Sequence, residues 1–459
     1  MVRSGKVGKM GCGTLVIPLA GSRCVAASTQ RMVRMLLLLL VIVVTGCATI
    51  NPPQPIAEVP FVERGQTKTE GTLTVTAAVP TSEENARIFG VDIAGEGIQP
   101  VWLRIDNRGD DEYYLFPAAM DPNYFSSYEV AWQAHTLFGG AVNQQLDALF
   151  AQHRMPVYIP PRSQSSGFVY TNESLGIKFI KVELRKLGSI KFFNFLINVP
   201  GVQTDYQQVD FAALYRPDEI RDVDDEGLRT ALEALPCCVL GGDRETLGDP
   251  LNIVVIGDGR ATFQPFVQQG WDVTETRTTD TIFSTIWSSL FGSRYRTSPV
   301  SALYLFDRPQ DIALQKARAT VDERNHLRLW LTPLRYQSLT VWVGQISRDI
   351  GVRLSAKTLV THKVDPNVDE ARFYLLQDLA TSGALARLGF VGGVGLAPLD
   401  EPRFNYTDDP YHTDGLRLVM VLDDDFVPFE QLTLFPRPPW RSPIDIIRSS
   451  LPGSSVLTN

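Results

Sequence analysis

Asp249-Pro250-Leu251-Asn252-Ile253-Val254-Val255-Ile256-Gly257-Asp258 is a short, almost wholly apolar run closed by a turn-forming Gly-Asp pair. Its length and β-branched content predict a fully apolar strand running into Gly257. A helix is expected from about Arg260 to Gln269, ahead of Gly270-Trp271. The turn Gly257-Asp258-Gly259-Arg260-Ala261-Thr262 partly matches a glycine-rich dinucleotide loop. It lacks the final glycine that close backbone approach requires, so a plain strand-to-helix turn is expected. Downstream, Val300 to Phe306, His326 to Leu331, Leu339 to Ile346 and Leu416 to Leu422 have strand character, and Asp365 to Ser382 has helix character. Runs of neighbouring strands between helices favour α+β over a doubly wound sheet. Residues 429–459, with Pro436-Arg437-Pro438-Pro439-Trp440-Arg441-Ser442-Pro443, lack periodicity and are expected to be a Pro-rich extended arm.

Upstream, Asp224 to Leu235 places Leu228, Leu232 and Leu235 at helical spacing behind acids in the first turn, and Pro236 ends the run. This connector is assigned to the second domain. From Thr72 to Val199 the pattern has period two: Leu73, Val75, Ala77; Val101, Leu103, Ile105; Ile180, Val182, Leu184. Such alternation predicts antiparallel sheets with one buried and one wet face. Val142, Leu146, Leu149 and Phe150 interrupt it at helical spacing, giving an amphipathic insertion expected to cover the sheets, or alternatively to face a partner or membrane. The expected fold is thus α+β overall: an N-terminal antiparallel β-sandwich-like domain over residues 70–203, followed by an α+β domain over 204–428. At roughly 150 residues per domain, 459 residues accommodate about two or three.

The start of the chain carries the clearest functional signal. Met35 to Val44 is an uninterrupted apolar run behind Arg34. It is too short to cross ~30 Å of hydrocarbon, which takes about 20 helical residues. A basic segment, a short apolar stretch and small residues describe a cleavable signal peptide over 1–46, with Met32 as an alternative true start. Val44-Thr45-Gly46-Cys47 resembles a bacterial lipobox, with Cys47 the diacylglyceryl acceptor and new N-terminus. Ala48 stands where Asp would signal inner-membrane retention, so the expected destination is the outer membrane, facing the periplasm. Residues 47–69, with Asn51-Pro52-Pro53-Gln54-Pro55, are expected to form a stiff, extended tether.

Composition agrees with an exported body. Hydrophobic content of 44% and charged content of 20% are ordinary for a globular protein. Residues 1–47 hold six basic residues and no acid; without them 37 basic residues face 51 acidic ones, a net of about −14. So acidic a body repels a phosphate backbone, which disfavours nucleic-acid binding. Beyond Cys12, Cys24 and Cys47 only Cys237 and Cys238 remain. Adjacent Cα atoms lie ~3.8 Å apart, closer than the usual ~4.4–6.8 Å of a disulfide, so two small buried thiols are preferred over a vicinal bridge.

A set of short motifs carries a family resemblance. Asp249 to Asp258, Gly270-Trp271, Ser298-Pro-Val-Ser-Ala-Leu-Tyr-Leu-Phe306, Arg308-Pro-Gln-Asp-Ile-Ala-Leu-Gln-Lys316, Asn325-His-Leu-Arg-Leu-Trp330, Val341-Trp-Val-Gly344, Thr361-His-Lys-Val-Asp-Pro-Asn-Val-Asp369 and Asp408-Asp-Pro-Tyr-His-Thr-Asp-Gly415 follow in order. Together they resemble the LssY C-terminal domain family over about residues 236–425. In that family the domain can follow an integral-membrane phosphatase domain of the phosphatidic-acid-phosphatase type. The phosphatase Pro-Ser-Gly-His element is absent here, and Ser347-Arg348 lies too far ahead of His362 to imitate the Ser-Arg…His motif. The resemblance therefore implies no phosphatase activity.

Two clusters could carry chemistry. His362, Asp365 and Asp369 surround the start of the helix expected from Asp365, with Pro366 at its first turn and Asp365 as N-cap; Asp365 and Asp369 would share a face. With His326 they could serve general acid/base chemistry or a divalent metal. Asp408, Asp409, His412 and Asp414 form an oxygen-rich loop with weak calcium character, although Asp-Pro and Asp-Gly are also ordinary turn formers. Neither Gly-x-Ser-x-Gly nor His-Glu-x-x-His occurs. Phe283, Trp287, Phe291 and Tyr295 fall on one drifting helical stripe, read as core, with an exposed groove as alternative. The expected function is a lipid-anchored, non-catalytic binding or accessory module with an envelope protein, lipid or glycan partner and no cofactor. The alternative is a metal-assisted envelope hydrolase using His326, His362, Asp365 and Asp369.

Overall fold

The computed structural model describes residues 51–137, 139–199, 209–274, 302–317, 324–355 and 359–442, with the side chains of 260–261, 352–355 and 359–362 excepted. The leader with Cys47, the aromatic stripe from Phe283 to Tyr295 and the end of the tail lie outside the described residues.

The first half of the chain contributes β1 (Gln66–Glu70), β2 (Leu73–Ala78), β3 (Ile98–Asn107), β4 (Tyr113–Leu115), β5 (Tyr158–Ile159), β6 (Ser163–Asn172), β7 (Ile177–Lys186) and β8 (Ser189–Asn198). They form two four-stranded antiparallel sheets, ordered β1-β2-β3-β6 and β5-β4-β7-β8. Leu73, Val75, Val101, Leu103 and Ile105 of one sheet share a core with Ile180, Val182, Leu184, Phe193 and Phe195 of the other. The alternation seen in the sequence therefore marks the inner faces.

The expected wet face of the first sheet is in fact covered. Helices α1 (Ser82–Phe89), α3 (Ser127–Gln133) and α4 (Gly140–His153) lie on it, whereas α2 (Pro117–Met120) packs against β7 of the other sheet. Trp102, Phe168 and Tyr170, which point away from the sandwich core, pack with Ile88, Phe89, Val130, Leu146 and Phe150. Leu146 and Phe150 of the helical insertion thus turn inward. Capping boxes at Thr81–Glu84 and Ser126–Glu129 set the starts of α1 and α3; each satisfies two N-terminal N–H groups at once.

Residues 51–64, expected as a free spacer, are docked onto the same layer. The Asn51 amide donates to the Gly90 carbonyl at 3.2 Å and that of Gln54 to Arg87 at 2.8 Å, while Val59 and Phe61 are buried. Apolar side chains every few residues past Pro55 give this stretch a reason to fold back.

The second half continues with β9 (Arg221–Val223), α5 (Asp225–Glu233), β10 (Cys238–Leu240), β11 (Leu247–Pro250), β12 (Ile253–Gly257), α6 (Gly259–Gln268), β13 (Asp272–Val273), β14 (Tyr304–Leu305), β15 (Arg308–Pro309), β16 (Ile312–Ala317), β17 (Arg324–Tyr336), β18 (Leu339–Ser355), β19 (Leu359–Val364), α7 (Val368–Ser382), β20 (Leu385–Val391), β21 (Arg403–Phe404), β22 (Pro410–Tyr411), β23 (Arg417–Leu422) and β24 (Thr433–Leu434). Ten strands make one sheet in the order β13-β16-β17-β18-β12-β23-β20-β24, with β19 on β18 and β9 on β17. β12 is central, parallel to β23 and antiparallel to β18. Ile253 and Val255 pack under α6 and α7, whereas Val254 and Ile256 pack on the opposite side with Leu228 and Leu232 of α5. Both faces are dry, and an unbroken apolar run is the consequence. Mixed sheets with helices outside the strand succession make the protein α+β.

Three expectations change. The strand expected over Val300–Phe306 is limited to the two residues of β14, with 300 and 301 outside the described residues. The tail is not a free arm as far as it is described: Phe435 and Trp440 are buried and their rings stack at 4.2 Å. Cys237 and Cys238 form a vicinal disulfide instead of two thiols. Cys238 is buried, with Sγ 3.7 Å from the Tyr411 hydroxyl. Just ahead of it, the buried Arg417 guanidinium donates to the carbonyls of Leu232, Leu235 and Pro236, fastening the connector to the sheet. Burial pushes Arg417 down to about 10.

Candidate functional site

On one face of β17 and β18 the side chains change from apolar to polar along the strands. Trp330 opposes Val343; beyond them Arg328 opposes Gln345 and His326 opposes Ser347, with Gln315 of β16 beside His326. Arg324, His326, Arg328, Gln345, Ser347, Asp349 and Gln315 are all buried. They therefore have to satisfy one another or their covering loops. Arg324 donates to Gln315 at 2.6 Å and Arg328 to Gln345 at 2.9 Å. His326 Nε2 lies 3.5 Å from Asp349 Oδ2, and Arg324 Nε 4.0 Å from the same oxygen.

This polar ladder continues into the loops. Gln345 donates to Asp249 at 3.1 Å, and Asn405 donates to the other Asp249 oxygen at 2.8 Å. The Asn405 side-chain Oδ1 accepts from the Thr407 and Asp409 amides, and Asp409 takes the Lys363 ammonium at 2.7 Å. Burial raises Asp249 above the usual carboxylate range, opposed by the Asn405 hydrogen bond and the Arg328 charge. Asp349 is pushed up to about 7, burial outweighing Arg324 and Arg328, with Asp249 and Asp409 adding repulsion. A carboxyl titrating near neutrality beside an imidazole can hold or pass a proton.

A second junction joins α7 to the loop before β23. Arg372, fully buried, grips Asp414 through both nitrogens at 3.0 and 2.6 Å and donates to the Leu416 carbonyl. Asp369 accepts from the Thr413 hydroxyl at 2.8 Å and the Asp414 amide at 2.7 Å, 3.4 Å from Arg372. Burial raises Asp369, against the pull of Arg372.

The residues singled out in the sequence are thus redistributed. His326 belongs to the ladder. His362 lies on β19 opposite Val352 of β18, and its side chain is outside the described part. His326 opposes Ser347, so the two histidine backbones are offset by five residues of β18, roughly 16 Å at strand rise. Asp365 is not the N-cap of α7, which begins at Val368 with Asn367 in that position. The Asp365 amide bonds to the Arg348 carbonyl and the His412 amide to the Pro366 carbonyl, so strand-like pairing holds this stretch out of the helix. Asp365 and Asp369 consequently do not share a helical face. Asp408 is exposed, and Asp409 and Asp414 are engaged by Lys363 and Arg372 instead of converging. Among the described residues no group of three His, Cys, Asp or Glu is arranged to hold a metal ion.

Sequence reading missed Arg324, Arg328, Gln345, Asp349, Asp249 and Asn405. The available signal was alternation: Arg324, His326 and Arg328 interleave with Leu327 and Leu329, and Gln345, Ser347 and Asp349 follow Val341 and Val343 in the same phase.

Residues 238–416 match the family model described as LssY C-terminus. The resemblance noted in the sequence therefore holds over that region, which includes most of the ladder and the Arg372–Asp414 junction. No curated protein matches the chain.

Proposed function

We propose that this is a bacterial envelope lipoprotein, tethered through Cys47 to the outer membrane and facing the periplasm, whose LssY C-terminal-like region is a non-catalytic binding or accessory module. In this reading residues 70–203 are a sandwich-like domain that presents the second domain, 204–428, to an envelope protein, lipid or glycan. The observation that carries the non-catalytic part is that carboxylates which could do chemistry are committed inside the fold: Asp409 to Lys363, Asp414 to Arg372, Asp249 to Gln345 and Asn405. His326 and Asp349 are 6% and 2% exposed, out of reach of a bulky substrate. The anchor rests on the lipobox-like sequence.

A second reading, an envelope hydrolase, draws on one feature: the neutral-range carboxyl of Asp349 3.5 Å from His326. One experiment separates the two. Membranes expressing wild type and Cys47→Ser are fractionated, the protein is captured natively with its metal content measured, and intact mass is recorded. Acylated wild type with a reproducible envelope partner, and a Cys47→Ser form released from the membrane, are expected. A stoichiometric metal, or ester hydrolysis abolished by His326→Gln, would replace the module reading with the hydrolase. An unmodified Cys47 would remove the anchor.

A further inference from the structure

Resting on the anchor reading above, we propose that the outer face of the helical layer over the first sheet lies against the lipid bilayer, with Trp132 and Tyr128 at the headgroup level. The argument begins with chain length. Cys47 and Asn51 are four residues apart, so their Cα atoms cannot be separated by more than about 14 Å. Asn51 is held at the C-terminal end of α1, its amide bonded to Gly90. Gly90 has φ +71°, and a Cβ there would come 2.3 Å from the Asn51 carbonyl oxygen, so the contact is close and glycine-dependent. The next anchoring points, Gln54 on Arg87 and the buried Val59 and Phe61, leave no slack in the segment. Asn51, at the Gly90 corner of the helical layer, therefore stands within about 14 Å of the acylated residue, which keeps this corner near the bilayer surface.

The same layer carries the aromatic surface. α3 packs Val130 and Ala131 inward against the core that includes Val59, Phe61 and Phe89. Its outward residues Tyr128 and Trp132 are 65% and 73% exposed, one helical turn apart, and Leu137 just beyond is 97% exposed. Tyrosine and tryptophan with an apolar body and a polar edge suit the membrane–water interface. The acidic balance of the mature chain makes electrostatic attraction to an anionic surface the wrong explanation, so the contact should be insensitive to salt. The opposite sheet, whose hairpin tip carries Leu187, faces away from the bilayer.

Among the described tryptophans Trp132 is the exposed one, since Trp102, Trp271, Trp330, Trp342 and Trp440 are all buried; Trp287 lies outside the described residues, so the signal is read as the difference between wild type and Trp132→Phe. Full-length acylated protein is reconstituted into phosphatidylethanolamine/phosphatidylglycerol vesicles containing lipids brominated near the headgroup. Intrinsic fluorescence is compared for wild type, Trp132→Phe and a form with a long Gly/Ser insertion between Cys47 and Asn51. The expected result is a lipid-quenched component that is present in the difference between wild type and Trp132→Phe, persists at high salt and falls in the lengthened form. If mass spectrometry shows acylated Cys47 while wild type and Trp132→Phe quench alike, the membrane face is overturned and the anchor stands. If Trp132 is shielded from an aqueous quencher but untouched by brominated lipid, a protein covers this face and the proposal fails. If Cys47 is unmodified, the anchor and the proposal fail together, and the mass distinguishes that case.

Discussion

Replacing Asp349 by asparagine should make the protein more stable at alkaline pH and leave it nearly unchanged near pH 4. The carboxyl sits 2% exposed, with Arg324 Nε 4.0 Å and His326 Nε2 3.5 Å away, and burial lifts it from an ordinary 3.8 to about 7. A folded pKa above the unfolded one means that the native state binds the proton more tightly. Stability from this group is full below about pH 4 and is lost as pH rises through 7. At about 1.4 kcal/mol per pKa unit, the whole loss has a ceiling of about 4 kcal/mol, of which about 3 kcal/mol falls between pH 5 and 8. Asparagine reproduces the neutral carboxyl in size and cannot ionise, so the variant escapes that loss. Urea titrations of wild type and Asp349→Asn at intervals from pH 5 to 8 measure the gap directly, since other titrating groups largely cancel in the difference. A gap that stays flat, or that narrows with pH, would show that folding does not raise the proton affinity of Asp349 over this range, and the account of the ladder would be wrong.

Other consequences are as direct. Arg372→Met leaves Asp414 and Asp369 without their buried cation and should cost about 3–5 kcal/mol in urea unfolding, whereas Asp408→Asn, at an exposed loop position, should change stability by under about 0.5 kcal/mol. Phe150→Ala removes a fully buried ring stacked on Phe89 at 4.7 Å and should cost about 3–5 kcal/mol; a cost below about 1 kcal/mol would mean that α4 does not cover the sheet. Arg417→Met should destabilise by at least about 3 kcal/mol by abandoning several buried carbonyls. Cys237 and Cys238 should resist alkylation in the unfolded, unreduced chain and react fully after a thiol reductant; labelling without reductant would rule out the bridge.

Local pattern settled much of the architecture before any contact was known. The apolar run from Ile253 to Ile256 had to be a strand, and Val101, Leu103 and Ile105 had to share a face, because side-chain period follows directly from backbone geometry. The spacing of Leu228 and Leu232 placed α5, and the motif series around residues 249–415 carried the family likeness. Closure was beyond reach. That residues 51–64 fold back, that a helical layer covers the sheet face holding Trp102 and Phe168, and that the tail seats Phe435 and Trp440 depend on apolar partners far away in sequence. The site was the least legible. Asp369 and Asp414 are ordinary first-turn and loop acids until Arg372 is inserted between them, and Asp349 acquires its shifted proton affinity only when β16, β17 and the Asn405 loop exclude water from it. Ion pairing and desolvation act through distance and dielectric, which neighbouring residues along a chain do not specify; periodicity can say which way a side chain points but not what meets it there.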